Sequence, residues 1–159
     1  MSPPSASVSI HVSAPPAVVY ALVTGIGDMG EWNVECRSAR WLGPVREARP
    51  GARFRGGNSL GWRRWSTLCT VTAAEPGRVF AYHVRAAGLL DVAVWRFGIT
   101  PTETGCHVEQ STWDTRGPLM MIIGRLVTGV RDRAAHNEAN MRRTLEGLKR
   151  VAEGSPARS

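Results

Sequence analysis

Leu119-Met-Met-Ile-Ile-Gly-Arg-Leu-Val-Thr-Gly-Val-Arg-Asp-Arg-Ala-Ala-His-Asn-Glu-Ala-Asn-Met-Arg-Arg-Thr-Leu-Glu-Gly-Leu-Lys-Arg-Val151 is the stretch that decides the fold. No proline lies between Pro118 and Pro156, so there is room for about nine helical turns. Ile123, Val127, Val130, Ala134, Met141, Leu145, Leu148 and Val151 recur at steps of three, four or seven, which places them in one stripe along a helix. Arg131, Asp132, Arg133, Glu138, Arg142, Arg143, Glu146 and Lys149 take the other sides. A helix of this length is marginal alone in water, so the stripe needs a surface to lie on. Two details qualify the pattern. Asn137 stands where an apolar residue is expected, and Gly124 and Gly129 each cost about 1 kcal/mol relative to alanine inside a helix. The glycines predict a kink, a close approach or a mobile segment near the helix start. Leu119 to Ile123 is apolar all round, and is expected to cover a cavity mouth together with the loop at Trp32 and the Gly88-Leu-Leu turn.

Upstream, the chain reads mainly as strands. Val8, Ile10 and Val12 alternate with Ser7, Ser9 and His11, which puts His11 on a solvent side. Ser13 is a candidate cap for a short helix over 17–23, ended by Gly25 and Gly27, and a second short helical turn or loop runs to Trp32. Strands follow at 34–42, where the apolar spacing shifts near Ser38, and then around Phe54, Trp65 to Val71, Phe80 to Val84, Ala93 to Ile99 and Cys106 to Asp114. Consecutive strands joined by short turns predict an antiparallel sheet, and helices grouped to one side predict an α+β fold. Residues 1–6 and 152–159 are read as flexible tails around one domain at 7–151.

Composition excludes several classes. At 159 residues, 43% of them hydrophobic and 21% charged, the chain is an ordinary globular domain with a real core. No apolar run reaches the ~20 residues of a membrane span. Met1-Ser-Pro-Pro-Ser-Ala lacks the pattern of a signal peptide, and a cytoplasmic location is expected. Cys36, Cys69 and Cys106 are odd in number and widely spaced, so they read as reduced thiols; no metal site and no cofactor are expected. The net charge is +7 and Lys149 is the only lysine. The arginines are scattered along the chain, so they read as a solvated surface and a nucleic-acid partner is not expected.

Gly57-Asn-Ser-Leu-Gly61 fits the G-x-S-x-G pattern, with Asp91 and His107 following in the chain order of a hydrolase triad. The context excludes it: the motif needs a strand-to-helix turn, and the strand-like Trp62-Arg-Arg-Trp follows instead.

The informative polar residues are those whose alternation turns them inward: Asn58, Thr67, Tyr82, Asp91, Gln110, Thr112 and Asp114, with Asn137 on the helix. Each costs about 1–3 kcal/mol if buried unpaired. Thr67 and Thr112 suit strands and are expected to bond within the protein. Gln110, Tyr82 and Asn137 are equally open to structural pairing and to orienting a ligand. Trp32, Trp65, Trp95, Phe54, Phe80 and Phe97 read as core packing that could also wall an apolar pocket.

Val8-Ser-Ile-His-Val-Ser-Ala-Pro-Pro-Ala-Val-Val-Tyr-Ala-Leu-Val, Met29-Gly-Glu-Trp-Asn, Pro50-Gly-Ala-Arg-Phe-Arg-Gly, Val71-Thr-Ala-Ala-Glu-Pro-Gly-Arg and Trp95-Arg-Phe-Gly-Ile-Thr-Pro, in this order and with Gly105 opening the last strand, resemble the START-like (SRPBCC) superfamily, in its polyketide cyclase/dehydrase and lipid-transport branch. The resemblance covers most of residues 8–151. It implies a helix-grip fold, a curved seven-stranded antiparallel sheet around the long C-terminal helix, with an elongated apolar cavity between them. It also implies a hydrophobic small-molecule ligand, such as a lipid or polyketide, carried by a monomer or homodimer. On that reading Trp32, Phe54, Asn58, Trp65, Tyr82, Trp95, Phe97, Gln110, Thr112, Ile123, Val127 and Asn137 are the expected ligand contacts. A polyketide cyclase, aromatase or dehydratase is the alternative. It needs a base and an oxyanion donor, for which Asp91 or Asp114 and Tyr82 or Gln110 are the candidates. A module that binds RNA or protein through its basic surface is the third possibility.

Overall fold

In the computed structural model, residues 2–129 and 133–154 are described. Seven strands form one antiparallel sheet: β1 (Ala6–Val12), β2 (Cys36–Leu42), β3 (Arg53–Leu60), β4 (Arg63–Glu75), β5 (Val79–Ala86), β6 (Leu90–Thr102) and β7 (Gly105–Asp114). Their spatial order is β1-β7-β6-β5-β4-β3-β2, so every hairpin joins neighbours and β1 closes on β7. Between β1 and β2 lie α1 (Pro16–Thr24) and a 3-10 helix (Ile26–Glu31). After β7 come α2 (Pro118–Thr128) and α3 (Arg133–Ala152). The α+β helix-grip arrangement expected from the sequence is the one observed.

The register breaks at Cys36/Ser38, Val71/Ala73 and Val84/Arg85. Such irregularities bend and twist a strand locally. The first of them is the apolar phase shift seen near Ser38. One face of the sheet packs on the helices. Val12, Phe80, Phe97 and Val108 from the strands meet Val19, Val23, Ile26 and Met29 from the first helical segments and Met141, Leu145 and Leu148 from α3. These last three are the apolar stripe of the C-terminal helix, now nearly fully buried.

The single helix expected from Leu119 to Val151 is instead two. Gly129 ends α2 in the left-handed conformation (φ 74°), which only glycine adopts without cost, and its N–H closes on the Arg125 carbonyl. Val130, Arg131 and Asp132, part of the expected stripe and its polar flank, lie outside the described residues. Gly124, by contrast, stays inside α2. Two smaller expectations also change. Ser13 does not cap α1; Pro15 takes the N-cap position without a side-chain bond, and Ser13 N–H donates to Glu153 Oε2 at 2.8 Å. The segment before β1 is tied down, because Trp113 Nε1 donates to the Ser2 carbonyl at 2.9 Å and Ser5 N–H to that of Thr112 at 2.7 Å. Lys149 Nζ donates to the His11 carbonyl at 3.1 Å and to Glu153 at 2.6 Å, which fixes the end of α3 to β1.

Candidate functional site

Strand alternation sends Phe54, Gly56 and Asn58 of β3, Trp65, Thr67 and Cys69 of β4, and Tyr82 and Val84 of β5 to the helix side of the sheet. Facing them, α3 offers Asn137, Asn140, Met141 and Thr144 at helical spacing, one turn apart along one side. Met29, Asn33, Glu35 and Cys36 close one end, and Val92, Trp95 and Gln110 the other. The space they enclose is about 100 Å³.

The polar groups around it fall into two sets. The first is satisfied by the protein. Asn58 Nδ2 donates to Thr67 Oγ1 at 3.2 Å, and Thr112 Oγ1 donates to the Val94 carbonyl at 3.1 Å. Asn33 Oδ1 accepts from the N–H groups of Glu35 and Cys36, and Thr144 Oγ1 accepts from Val34 N–H at 3.4 Å. Asn140 Nδ2 donates to Glu35 Oε2 at 3.0 Å and lies 2.9 Å from His136 Nε2, which itself is 3.7 Å from Glu35. A carboxylate, an imidazole and an amide thus meet at the cavity edge.

The second set has no partner. Gln110 Oε1 is buried without a hydrogen bond. The Tyr82 hydroxyl and the Asn137 amide also lack one among the described residues, although both side chains line the cavity and both residues are buried. Burial pushes the Tyr82 phenol well above its ordinary value, and the nearby Cys69 and Cys36 thiols add to this. It therefore stays protonated, a fixed donor. Burial likewise pushes Cys36 up to about 11 and Cys69 up to about 12, so neither is a thiolate near neutral pH.

Of the residues expected to contact a ligand, Phe54, Asn58, Trp65, Tyr82, Trp95, Gln110 and Asn137 are brought together around this space. Trp32 and Phe97 pack edge to face, with ring centroids 5.9 Å apart, in the core beside it. Trp32 Nε1 has no partner there. Thr112 is buried behind the lining, on β7. Ile123 and Val127 sit on α2 and do not reach the cavity; Val127 is exposed. Of the acidic candidates, Asp91 bonds Arg85 at 3.2 Å and lies 3.3 Å from His83, while Asp114 accepts two bonds from Arg116 at 2.9 and 2.6 Å. Neither carboxylate lines the cavity. Glu35 does, and the sequence reading missed it because it precedes a bulged strand whose facing alternation does not settle. Asn140 and Thr144 had a usable signal: with Asn137 they make a polar stripe at steps of three and four beside the apolar one.

Residues 3–153 match the family described as polyketide cyclase / dehydrase and lipid transport. No curated protein matches the sequence. Among solved structures, a protein of Mesorhizobium loti superposes with a TM-score of 0.69 at 21% identity, covering 94% of this chain and 97% of its own. The di-domain ARO/CYC StfQ from the steffimycin biosynthetic pathway gives 0.71 at 18%, over 94% of this chain and 50% of that one. Ara h 8.0201 gives 0.62 at 14%, over 94% of each. At these identities the structures speak for the fold, and the match over nearly the whole sequence speaks for descent: the chain belongs to the polyketide cyclase/dehydrase and lipid transport family.

Proposed function

We propose that this protein binds one hydrophobic small molecule, a lipid or polyketide-like compound bearing oxygen functions, between the sheet and α3, and acts as its carrier. The observation that carries the reading is Gln110 Oε1, a buried acceptor with no partner, on a side chain that lines a cavity walled by Trp65, Trp95 and Phe54. An unpaired buried acceptor costs about 1–3 kcal/mol. A ligand hydroxyl placed against it recovers that cost, while the protonated Tyr82 hydroxyl is suited to a ligand carbonyl. The aromatic and aliphatic walls supply affinity by burial, at roughly 25 cal/mol per Å².

The present space is smaller than the ~300–1,000 Å³ typical of small-molecule pockets. Filling it requires the walls to part; α2 lends no side chain to the lining but packs on β4 and β6 next to it, and is weakly buried there. Of its large apolar side chains only Met120 is buried, whereas Leu119, Ile122 and Leu126 are 63%, 60% and 73% exposed. Native mass spectrometry of the purified protein tests the reading. A co-purified apolar compound at one per chain, lost on organic extraction and regained on addition, is the expected result. A protein that is always bare and takes up neither fatty acids nor aromatic polyketides would end it.

Turnover of a bound polyketide is the second reading, favoured by the Glu35–His136–Asn140 cluster at the edge of the cavity that Tyr82 also lines. A base and an oxyanion donor are what enolate chemistry requires. Product formation from a poly-β-ketone thioester, abolished in Glu35→Gln with binding retained, would decide for it.

A further inference from the structure

The face of the sheet that turns away from the cavity gathers arginines that are far apart in sequence. Arg40 of β2, Arg53 and Arg55 of β3 and Arg64 of β4 are all exposed, at positions alternate to the buried ones. The register sets Arg40 directly opposite Arg55. Like charges directly opposite on adjacent strands destabilise a sheet, and neither arginine has a hydrogen bond or ion pair among the described residues. Asp91, on the neighbouring hairpin, is already taken by Arg85 and His83.

Beside the pair lies a depression of about 170 Å³, lined by Ser38, Arg40, Arg55, Gly57 and Ser66. The register explains it: Gly57 stands between Ser38 on one side and Ser66 on the other. A Cβ at Gly57 would come within 2.6 Å of Ser38 Oγ and fill the floor. Two guanidinium forks and two hydroxyls, all donors, thus border one small concavity that holds no carboxylate.

We propose that this depression is a binding site for a single phosphate group, clamped by Arg40 and Arg55 with Ser38 and Ser66 donating from below. The planar guanidinium matches phosphate oxygens two at a time, and a dianion relieves the repulsion between the two arginines. A nucleic-acid backbone is a poorer fit, because the outward positions of β2, β3 and β4 carry no Trp, Phe or Tyr on which a base could stack. The phosphate belongs to a soluble phosphoester or to a lipid headgroup. The site is separate from the cavity and does not depend on what the cavity holds.

Thermal unfolding of the full chain in inorganic phosphate, against sodium chloride of equal ionic strength, tests the proposal. Phosphate at ten times its Kd should raise Tm by about 3–6 °C over chloride. Arg55→Gln and Arg40→Gln should lose this rise. In chloride alone each should melt at or above the parent, because the repulsion is gone, so loss of the response cannot be mistaken for damage. Flotation with phosphatidylcholine vesicles, with and without phosphatidic acid, separates the sources. Binding to the phosphatidic acid vesicles that is lost in Arg55→Gln identifies a headgroup; a response to free phosphate without flotation identifies a soluble phosphoester. A rise no larger than that in chloride, with no flotation, overturns the site. So does a rise or flotation kept in both variants.

Discussion

Arg63, the first residue of β4, donates from Nη1 to the Leu126 carbonyl at 2.7 Å. That carbonyl is in the last turn of α2, where no further N–H of the helix is available to it. Arg63 also stands 4.7 Å from the centroid of the Trp62 ring. One side chain therefore pins the loose end of α2 to the tip of a hairpin. Removing it with Arg63→Ala should cost about 1 kcal/mol or less in global stability, since the bond is exposed. The local effect should be larger: amide exchange across residues 119–129 should speed up, with little change in α3, and ligand uptake should quicken. Exchange as slow in α2 as in α3, in both proteins, would argue against α2 as a mobile element beside the cavity.

Gln110→Leu should separate stability from binding. The parent side chain holds a buried acceptor without a partner, so the variant should be as stable as the parent or more so, by up to about 1–3 kcal/mol. A ligand that hydrogen-bonds this group should bind roughly tenfold more weakly, the equivalent of about 1.4 kcal/mol. Denaturant titration gives the first number and ligand titration the second. A variant that is clearly less stable would mean that the amide is already paired, with water, in the ligand-free protein.

The sheet and the helix grip were legible because their signals are periodic. Alternation over Val8 to Val12 and over Cys106 to Asp114 fixed which side chains face the core, and the three- and four-residue steps of Met141, Leu145 and Leu148 fixed the face of α3. The helix break was half legible: Gly129 was visible as a weak point, but whether a glycine bends a helix or ends it depends on the contacts that follow. The site was legible where alternation was clean, at Phe54, Tyr82 and Gln110. It was not legible at Glu35, which lies before a bulged strand, nor at Asp91 and Asp114, which sit at strand ends where local arginines outcompete the interior for a carboxylate.

The two cavity thiols set an alkaline limit. Burial holds Cys36 at about 11 and Cys69 at about 12 in the folded chain, against 9 for a free thiol. Between those values the unfolded chain has lost protons that the folded one keeps. Stability conferred by these groups is therefore complete below pH 9 and declines as the pH rises from there towards 11–12. Chemical denaturation at pH 8 and pH 10.5 should show the decline, and the Cys36→Ala, Cys69→Ala double variant should show less of it. A thiol-specific reagent at pH 8 should modify both cysteines far more slowly in the folded protein than in denaturant.

Gly147→Ala tests how closely α3 grips the rest of the fold. In an exposed helix the substitution would stabilise by about 1 kcal/mol. Here a Cβ would stand 2.6 Å from the Trp32 carbonyl oxygen and 3.3 Å from its Cα, both backbone atoms that cannot rotate aside. Overpacking of this kind costs about 1–3 kcal/mol, so the two effects oppose and the steric one wins. The expected result is a net loss of up to about 2 kcal/mol by denaturant titration. Trp32 packs on Phe97, so its near-ultraviolet circular dichroism should change with it. A variant more stable than the parent would place α3 farther from Trp32, and would leave the cavity between helix and sheet wider than these contacts allow.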